Sequence, residues 1–438
     1  MNRGSEWRIW DLHVHTPLSI ENNYGCANDE EGWNKYITAL EQLPSDIKVL
    51  GINDYLFIDG YKKVKEYKDS GRLSNIELLL PVVEFRLAKF CGHKQFKRIN
   101  FHVIFSDEVS ADVIQHQFLN ALSPHYALSP DCTQQWGGVV TRENLEDLGR
   151  RIINSVPDAQ KQNYGSPLKE GFNNLNLELS QIITILNNAP QYFKGKYLTA
   201  IGKTEWDEFK WDDTSIAEKK TIINQADIVF TAAENIEKFN NAKIKLQEQN
   251  VNSLLLDCSD AHSFANASTK DCLGNCKTWI KADPTFEGFK QILFEPEDRV
   301  CICDSKPEYK YDYDVIDRVE LNSANTWHQT IYLNQNLNSI IGGRSTGKST
   351  LLASLAACAD DVDNKDYINQ LRDSVHVYWR DGQENGDKYI EYFPQNKISK
   401  VAEPQETDKL LMDILLGKED VKVEYDKHKS LLASRFST

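Results

Sequence analysis

Methionine is scarce, with 2 residues against 9 tryptophans, 18 tyrosines and 18 phenylalanines. The core must therefore rest on aliphatic and rigid aromatic side chains rather than on adaptable thioethers. No apolar run approaches the ~18 residues that a membrane span requires. The opening residues, Met1-Asn2-Arg3-Gly4-Ser5-Glu6-Trp7, hold no apolar leader, so no signal peptide is expected. Cysteine is odd in number, at 9. Without a secretion signal these read as reduced thiols in the cytoplasm, not as a disulfide frame. Positive charge is in deficit: 50 Lys+Arg face 65 Asp+Glu, a formal net charge of −15. That excludes a uniformly polybasic coat for DNA or membranes, though not local basic patches. Hydrophobic content of 40% and charged content of 26% exclude global disorder. No internal repeat is present.

What is there is an alternation of short β-type runs with helical stretches. The 438 residues suggest roughly three units at about 150 residues per domain. Runs at Arg8–His15, Lys48–Ile52, Glu77–Val83, Asn100–Phe105, Tyr197–Ile201, Ile228–Thr231 and Ser253–Cys258 predict strands. Helical patterns lie between them at 32–43, 61–69 and 235–249. This alternation predicts a parallel sheet or α/β barrel, and about seven strands over about 270 residues suit a barrel. The stretch 106–195 is polar and poor in β runs, which predicts a largely helical insertion. A charged, tyrosine-rich linker at 305–315 precedes a second α/β unit over 316–406. From 407 to 438 the pattern is helical and charged.

Several strand ends carry metal-type ligands. In Asp11-Leu12-His13-Val14-His15-Thr16, two imidazoles at i and i+2 face one side of a strand. Glu84 follows the run ending at Val83, His102 sits in the next run, and Ser259-Asp260-Ala261-His262 follows the run 254–256. An α/β barrel gathers such ends on one face. Imidazole with carboxylate suits Zn²⁺, Mn²⁺ or Fe²⁺ rather than a thiolate site. A bridging carboxylate such as Glu84 would hold two ions that activate water and clamp a phosphoryl oxygen. The cysteine pairs Cys272/Cys276 and Cys301/Cys303 lack the spacing of a common zinc knuckle and read as buried thiols. Lys62-Lys63-x-Lys65-x-x-Lys68 reads as a solvated helix face. His93-Lys94-x-x-Lys97-Arg98 is placed to draw a polyanion toward the metals, and Arg86 to contact a substrate phosphate.

This ordered set, over about residues 7–300, resembles the PHP (polymerase and histidinol phosphatase) superfamily. The resemblance implies a distorted (β/α)₇ barrel with a two- or three-metal phosphoesterase site. It implies that His13, His15, Glu84 and Asp260 hold one metal, that Glu84 and His102 help hold a second, and that His262 serves a third or neighbouring position. These six would be the catalytic set. The family's Thr-Asp-His triplet stands here as Asn53-Asp54-Tyr55. A histidine expected soon after the first pair is absent, with Glu21 nearby as a substitute. Another is replaced by the stretch 202–205, where Glu205 or Lys203 would fill the place.

Gly342-Gly343-Arg344-Ser345-Thr346-Gly347-Lys348-Ser349-Thr350 fits a phosphate-binding loop, G-x-x-x-x-G-K-[ST]. Glycines let backbone N–H groups turn toward phosphate, and the following helix adds its positive end. Lys348 would reach the β/γ-phosphates of ATP and Ser349 would ligate Mg²⁺. Leu337–Ile341 predicts the strand before the loop, and 351–357 the helix after it. Gln395 in Tyr392-Phe393-Pro394-Gln395-Asn396 resembles the Q-loop of ABC-type and SMC-like ATPases. No apolar run ending in Asp-Glu and no Leu-Ser-Gly-Gly-Gln-like signature follows Lys348. The resemblance implies ATP sandwiched between paired heads, hence a homo-oligomer, and the helical stretch 407–438 would begin a coiled-coil arm.

The whole chain resembles TrlF-type PHP–ATPase fusions of bacteria. That implies an ATP-regulated phosphoesterase, a nuclease acting on DNA or RNA, in antiviral defence. Two other readings stay open on the residues: an ATP-dependent nucleic-acid-sensing module with an inactive barrel, and a phosphatase of nucleotides or small metabolites.

Overall fold

A computed structural model of the chain describes residues 3–91, 97–129, 134–202, 206–207, 209–212, 216–265, 269–323, 327–357, 371, 374–384, 388, 390, 392 and 419–436. It divides into two compact units between Tyr309 and Lys310. The first unit carries β1 (Glu6–Val14), β2 (Ile47–Tyr55), β3 (Leu78–Cys91), β4 (Lys97–Phe105), β5 (Ala127–Leu128), β6 (Leu175–Asn176), β7 (Tyr197–Ile201), β8 (Ile228–Thr231), β9 (Leu255–Asp257), β10 (Thr278–Ala282) and β11 (Val300–Ile302). Nine of these form one sheet in the order β11-β10-β1-β2-β3-β4-β7-β8-β9. The sheet curls into a nearly closed, barrel-like surface. After β9 the chain returns to the end of β1, where His15 N donates to Ala261 O at 3.0 Å and Ala261 N to His13 O at 3.3 Å.

The sheet is mixed, which corrects the expectation of a parallel one. β1, β2 and β3 are parallel, as are β7, β8 and β9. β3 and β4, however, pair antiparallel, and so do β4 with β7 and β1 with β10. For β3 and β4 the reason is chain length. Only residues 92–96 separate β3 from β4, and a parallel crossover needs about a dozen residues or more. Where helices do intervene, at Glu30–Glu41, Asp59–Asp69 and Ile236–Glu248, the flanking strands run parallel. The first of these helices starts cleanly because Asp29 accepts from Gly32 N at 2.8 Å, satisfying an orphan amide.

Side-chain alternation sorts the strands into two cores. Trp10, Leu12, Val49, Leu80, Val82, Ile104, Ala200, Ile228, Phe230, Leu256 and Ile280 come from β1–β4 and β7–β10 and form one cluster. A larger cluster on the opposite faces takes in the helices and the stretch between β4 and β7. That stretch is mostly helical, with Arg142–Ser155, Pro167–Asn173 and Leu179–Asn188 as its longer elements, plus the two-residue pair β5/β6.

The second unit holds an antiparallel sheet ordered β13-β12-β14 (β12 Ile316–Ser323, β13 Trp327–Tyr332, β14 Val375–Trp379). Val319, Leu321 and Val375 form its small core, with Leu351 and Leu355 of the helix Lys348–Ala357 against it. The strand expected at 337–341 is not formed. Leu337 is 85% exposed and Ile341 92%, and the backbone is irregular. A buried strand needs hydrogen-bonding neighbours, and these residues have no ladder partner among the described residues. A helix runs Glu419–Phe436, with side chains 422–430 exposed. Among the described residues no helix is long and apolar enough to cross a membrane.

Candidate metal centre

The apolar faces of the strands continue directly into polar ligands. On β3, Leu80 and Val82 are followed by Glu84. On antiparallel β4, Ile104 leads back to His102, and on β2 the same alternation leads to Asn53 and Tyr55. Register sets them side by side: Tyr55 opposite Glu84, and Glu84 opposite His102. β1 needs a correction to join them. Its pairing with β2 slips between Asp11 and Val14, so three steps on β1 oppose two on β2. Such a bulge re-aims side chains, and His13 and His15 both turn to Glu84.

Four ligand atoms converge. His13 Nε2 lies 3.1 Å from His15 Nε2, 3.2 Å from Glu84 Oε2 and 2.9 Å from Asp260 Oδ1. His15 Nε2 is 3.6 Å from Glu84 Oε2 and 3.4 Å from Asp260 Oδ1. Bonds of about 2.1 Å to one ion in tetrahedral to octahedral geometry place neighbouring ligand atoms roughly 3.0–3.5 Å apart. The observed spacings match. His102 adjoins through Nε2, 3.4 Å from Glu84 Oε2. His13 with Glu84 and His102, and His13 with His15 and Asp260, are the two ligand groups that close up among the described residues.

The protein's own groups leave the site poorly satisfied. Glu84 and His102 are fully buried, yet Glu84 Oε1 and both ring nitrogens of His102 make no hydrogen bond among the described residues. Buried polar atoms without partners cost free energy that an ion would recover. Charge is strained in the same way. Burial disfavours the His13 imidazolium, but Asp260 and Glu84 outweigh it and hold His13 well above the usual range. Burial and the neighbouring His262 push His15 down to about 3. Burial disfavours the Glu84 carboxylate, but His102 and His13 hold it well below its usual range. Burial lowers His102.

Outer partners fix the ligands. Ser19 Oγ holds His15 Nδ1 at 2.9 Å, leaving Nε2 for the centre. Tyr24 and Tyr36 hydroxyls both donate to His15 O at 2.9 Å. Asp54 accepts from Thr16 N at 3.1 Å and Thr16 Oγ1 at 2.7 Å, pinning the turn after the histidine pair. Gly60 permits this approach, since a Cβ there would sit 1.9 Å from Asp54 Oδ2. Asp260 takes a left-handed backbone, φ +48, which aspartate tolerates better than most residues.

His262 stands beside the four-ligand set rather than in it. Its ring packs on His15 at 4.0 Å, its Nδ1 donates to Asp260 O at 2.7 Å, and its Nε2 faces the Tyr55 hydroxyl at 3.4 Å. Glu21 does not serve as a ligand substitute. Its carboxylate pairs with Arg86 at 3.0 Å and Lys169 at 3.3 Å and belongs to neither ligand group. Lys203 and Glu205 lie outside the described residues. Arg98 is tied to Leu175 O and Ser129 Oγ, and His93 and Lys94 lie outside the described residues. Cys272 and Cys276 are buried, while Cys301 and Cys303 are half-buried. Asn53 is a site residue that ligand spacing did not single out; Nδ2 donates to Glu84 Oε2 at 2.8 Å.

In the other unit, Arg344, Ser345, Thr346 and Gly347 form a turn into the helix that starts at Lys348, with Ser349 and Thr350 in its first turn. Gly347 at φ +89 and Ser345 at φ +60 give the loop its fold. Lys348 Nζ donates to Gly342 O at 2.8 Å and Gly343 O at 2.5 Å, so the ammonium is held over the loop. Gln395 lies outside the described residues. No protein-family model matches this chain, and no curated protein matches it.

Proposed function

We propose that this chain is a metal-dependent phosphoesterase of the PHP type, acting as a nuclease, whose activity is set by ATP at a P-loop, SMC-like lobe. One observation carries the reading: buried ligand atoms of His13, His15, Glu84 and Asp260 gather round the histidine pair, His13 Nε2 lying 2.9–3.2 Å from the other three and His15 Nε2 3.4–3.6 Å from the two carboxylates. The donor set, two imidazoles and two carboxylates, suits Mn²⁺, Zn²⁺ or Fe²⁺. Glu84 Oε1 and His102 would hold a second ion. Ions bound there would lower the pKa of a water and clamp a phosphoryl oxygen. The chain's own part is orientation: Ser19 sets the His15 ring, the bulge in β1 aims His13, and Asp54 locks the turn that follows. At 342–350, the loop amides and Lys348 suit a nucleotide triphosphate, and Ser349 its Mg²⁺. The antiviral role rests on family resemblance alone.

Elemental analysis after Mn²⁺ loading, with a nuclease assay with and without ATP, tests this. Combined His13→Ala and His15→Ala should abolish bound Mn²⁺ and hydrolysis while leaving ATP binding intact. Cleavage by that double variant, or no Mn²⁺ uptake by the unsubstituted chain, would sink the reading.

A further inference from the structure

Arg86 follows Glu84 by two residues on an unbroken stretch of β3, so both side chains leave one face, about 7 Å of strand rise apart. The guanidinium is built in. Its Cζ lies over the Phe172 ring, 4.3 Å from the centroid, and 5.4 Å from the centroid of Tyr55. Tyr55 in turn stacks on the ligand His15 at 4.8 Å, so one ring separates the cation from the metal centre. Nη1 donates to Asn173 Oδ1 at 2.5 Å and Nη2 to Glu21 Oε1 at 3.0 Å. Lys169 brings a second cation to Glu21 Oε2 at 3.3 Å. Phe172, Asn173 and Lys169 all belong to the insertion, on the helix Pro167–Asn173.

Two cations thus share one carboxylate beside the candidate metal centre. The Arg86 cation sits over two aromatic rings while its two Nη atoms serve Asn173 and Glu21, and a guanidinium fork so presented suits a planar pair of anionic oxygens. Glu21 now gives Arg86 one oxygen, Oε1, and Lys169 the other, Oε2, and its side chain is 28% exposed. A phosphate carries more charge than a carboxylate and would compete for the same edge.

We propose that Arg86 and Lys169 form a phosphate-anchoring subsite next to the metal centre, with Glu21 as an internal occupant that the substrate's phosphate displaces. This rests on the phosphoesterase reading and names what the site recognises: a phosphate group, carried by a nucleic-acid chain or by a free monoester. The insertion supplies half of the subsite, so it selects the substrate.

The test uses the full chain, metal-free, with fluorescence anisotropy on a fluorescein-labelled oligothymidylate of about 12 nucleotides, and calorimetry with inorganic phosphate. Mn²⁺ uptake is measured on the same preparations. Glu21→Gln should tighten binding roughly 3- to 10-fold, and Arg86→Ala should weaken it roughly 10-fold or more. Arg86→Lys should weaken it nearly as much, because an ammonium neither stacks nor forks. Mn²⁺ uptake should stay unchanged in all three. The pattern with the oligonucleotide assigns a phosphodiester chain; the pattern with inorganic phosphate alone assigns a monoester. If Arg86→Ala fails to fold, Glu21→Gln carries the test. Unchanged or weaker binding by Glu21→Gln, with Mn²⁺ still taken up, overturns the subsite. Failure of the unsubstituted chain to take up Mn²⁺ instead counts against the phosphoesterase reading.

Discussion

Glu84 lies against the Nε2 atoms of His13, His15 and His102 and accepts from Asn53 through one oxygen, Oε2. Asn53 is the neutral member of this group, and its neutrality matters. Asn53→Asp would set a second buried carboxylate against Glu84. In metal-free protein we expect a loss of about 2 kcal/mol or more, seen as a lower melting temperature that added Mn²⁺ restores. Asp54, next in sequence, gives a pH signature. Burial raises its pKa from 3.8 to about 6 despite the bonds from Thr16. A carboxyl raised on folding favours the folded state below the unfolded value and loses that advantage as pH rises through the folded one. Unfolding free energy of the metal-free protein, relative to Asp54→Asn, should therefore fall by about 2 kcal/mol between pH 4 and pH 7. Denaturant titrations at several pH values check it; a flat difference refutes it. His13, His15, Glu84, His102 and Asp260 could be picked out of the sequence because metal-type side chains at strand ends are chemically conspicuous. Asn53 and Ser19 could not, since an amide or hydroxyl is common everywhere and its partner is set only by the fold.

Between strands, the Asp257 carboxylate ties the end of β9 to β10. Its Oδ2 accepts from Lys277 N at 2.8 Å and Lys270 Nζ at 2.9 Å, and both side chains are largely buried. Burial disfavours the Lys270 ammonium, yet Asp257 outweighs it and raises its pKa. Asp257→Asn strands that cation and should cost about 3 kcal/mol. Lys270→Met added to it should recover part of the loss, because the pair then leaves no buried charge; chemical denaturation of both variants measures this. β7 and β8 were readable to the residue from their apolar runs. β10 and β11 were not, for Thr278–Ala282 is short and includes a lysine, and Val300–Ile302 is shorter still. The antiparallel pairing of β3 with β4 was not readable, because the apolar runs stop at Val83 and resume at Asn100 while the strands extend to Cys91 and from Lys97. The run 337–341 shows the converse: apolar, β-branched residues make no strand without neighbours to pair with.

At the scale of the molecule, each apolar cluster formed by the described residues belongs to one unit. Two cores lie within residues 9–302 and the third within 316–375. A chain ending at Tyr309 should therefore unfold cooperatively and still take up Mn²⁺, by calorimetry and elemental analysis. Lys348→Ala in the full chain should weaken ATP binding at least 10-fold and leave Mn²⁺ uptake unchanged; a fluorescent ATP analogue reports the first. The segment that returns after β9 to meet His13 and His15 sets an order of events in synthesis. Asp260 is made some 245 residues after His15, and until it emerges the nascent polypeptide offers an ion only an incomplete cage. Capture of an ion by the proposed centre would thus wait until almost the entire barrel has left the ribosome, and a product truncated before Asp260 should bind none.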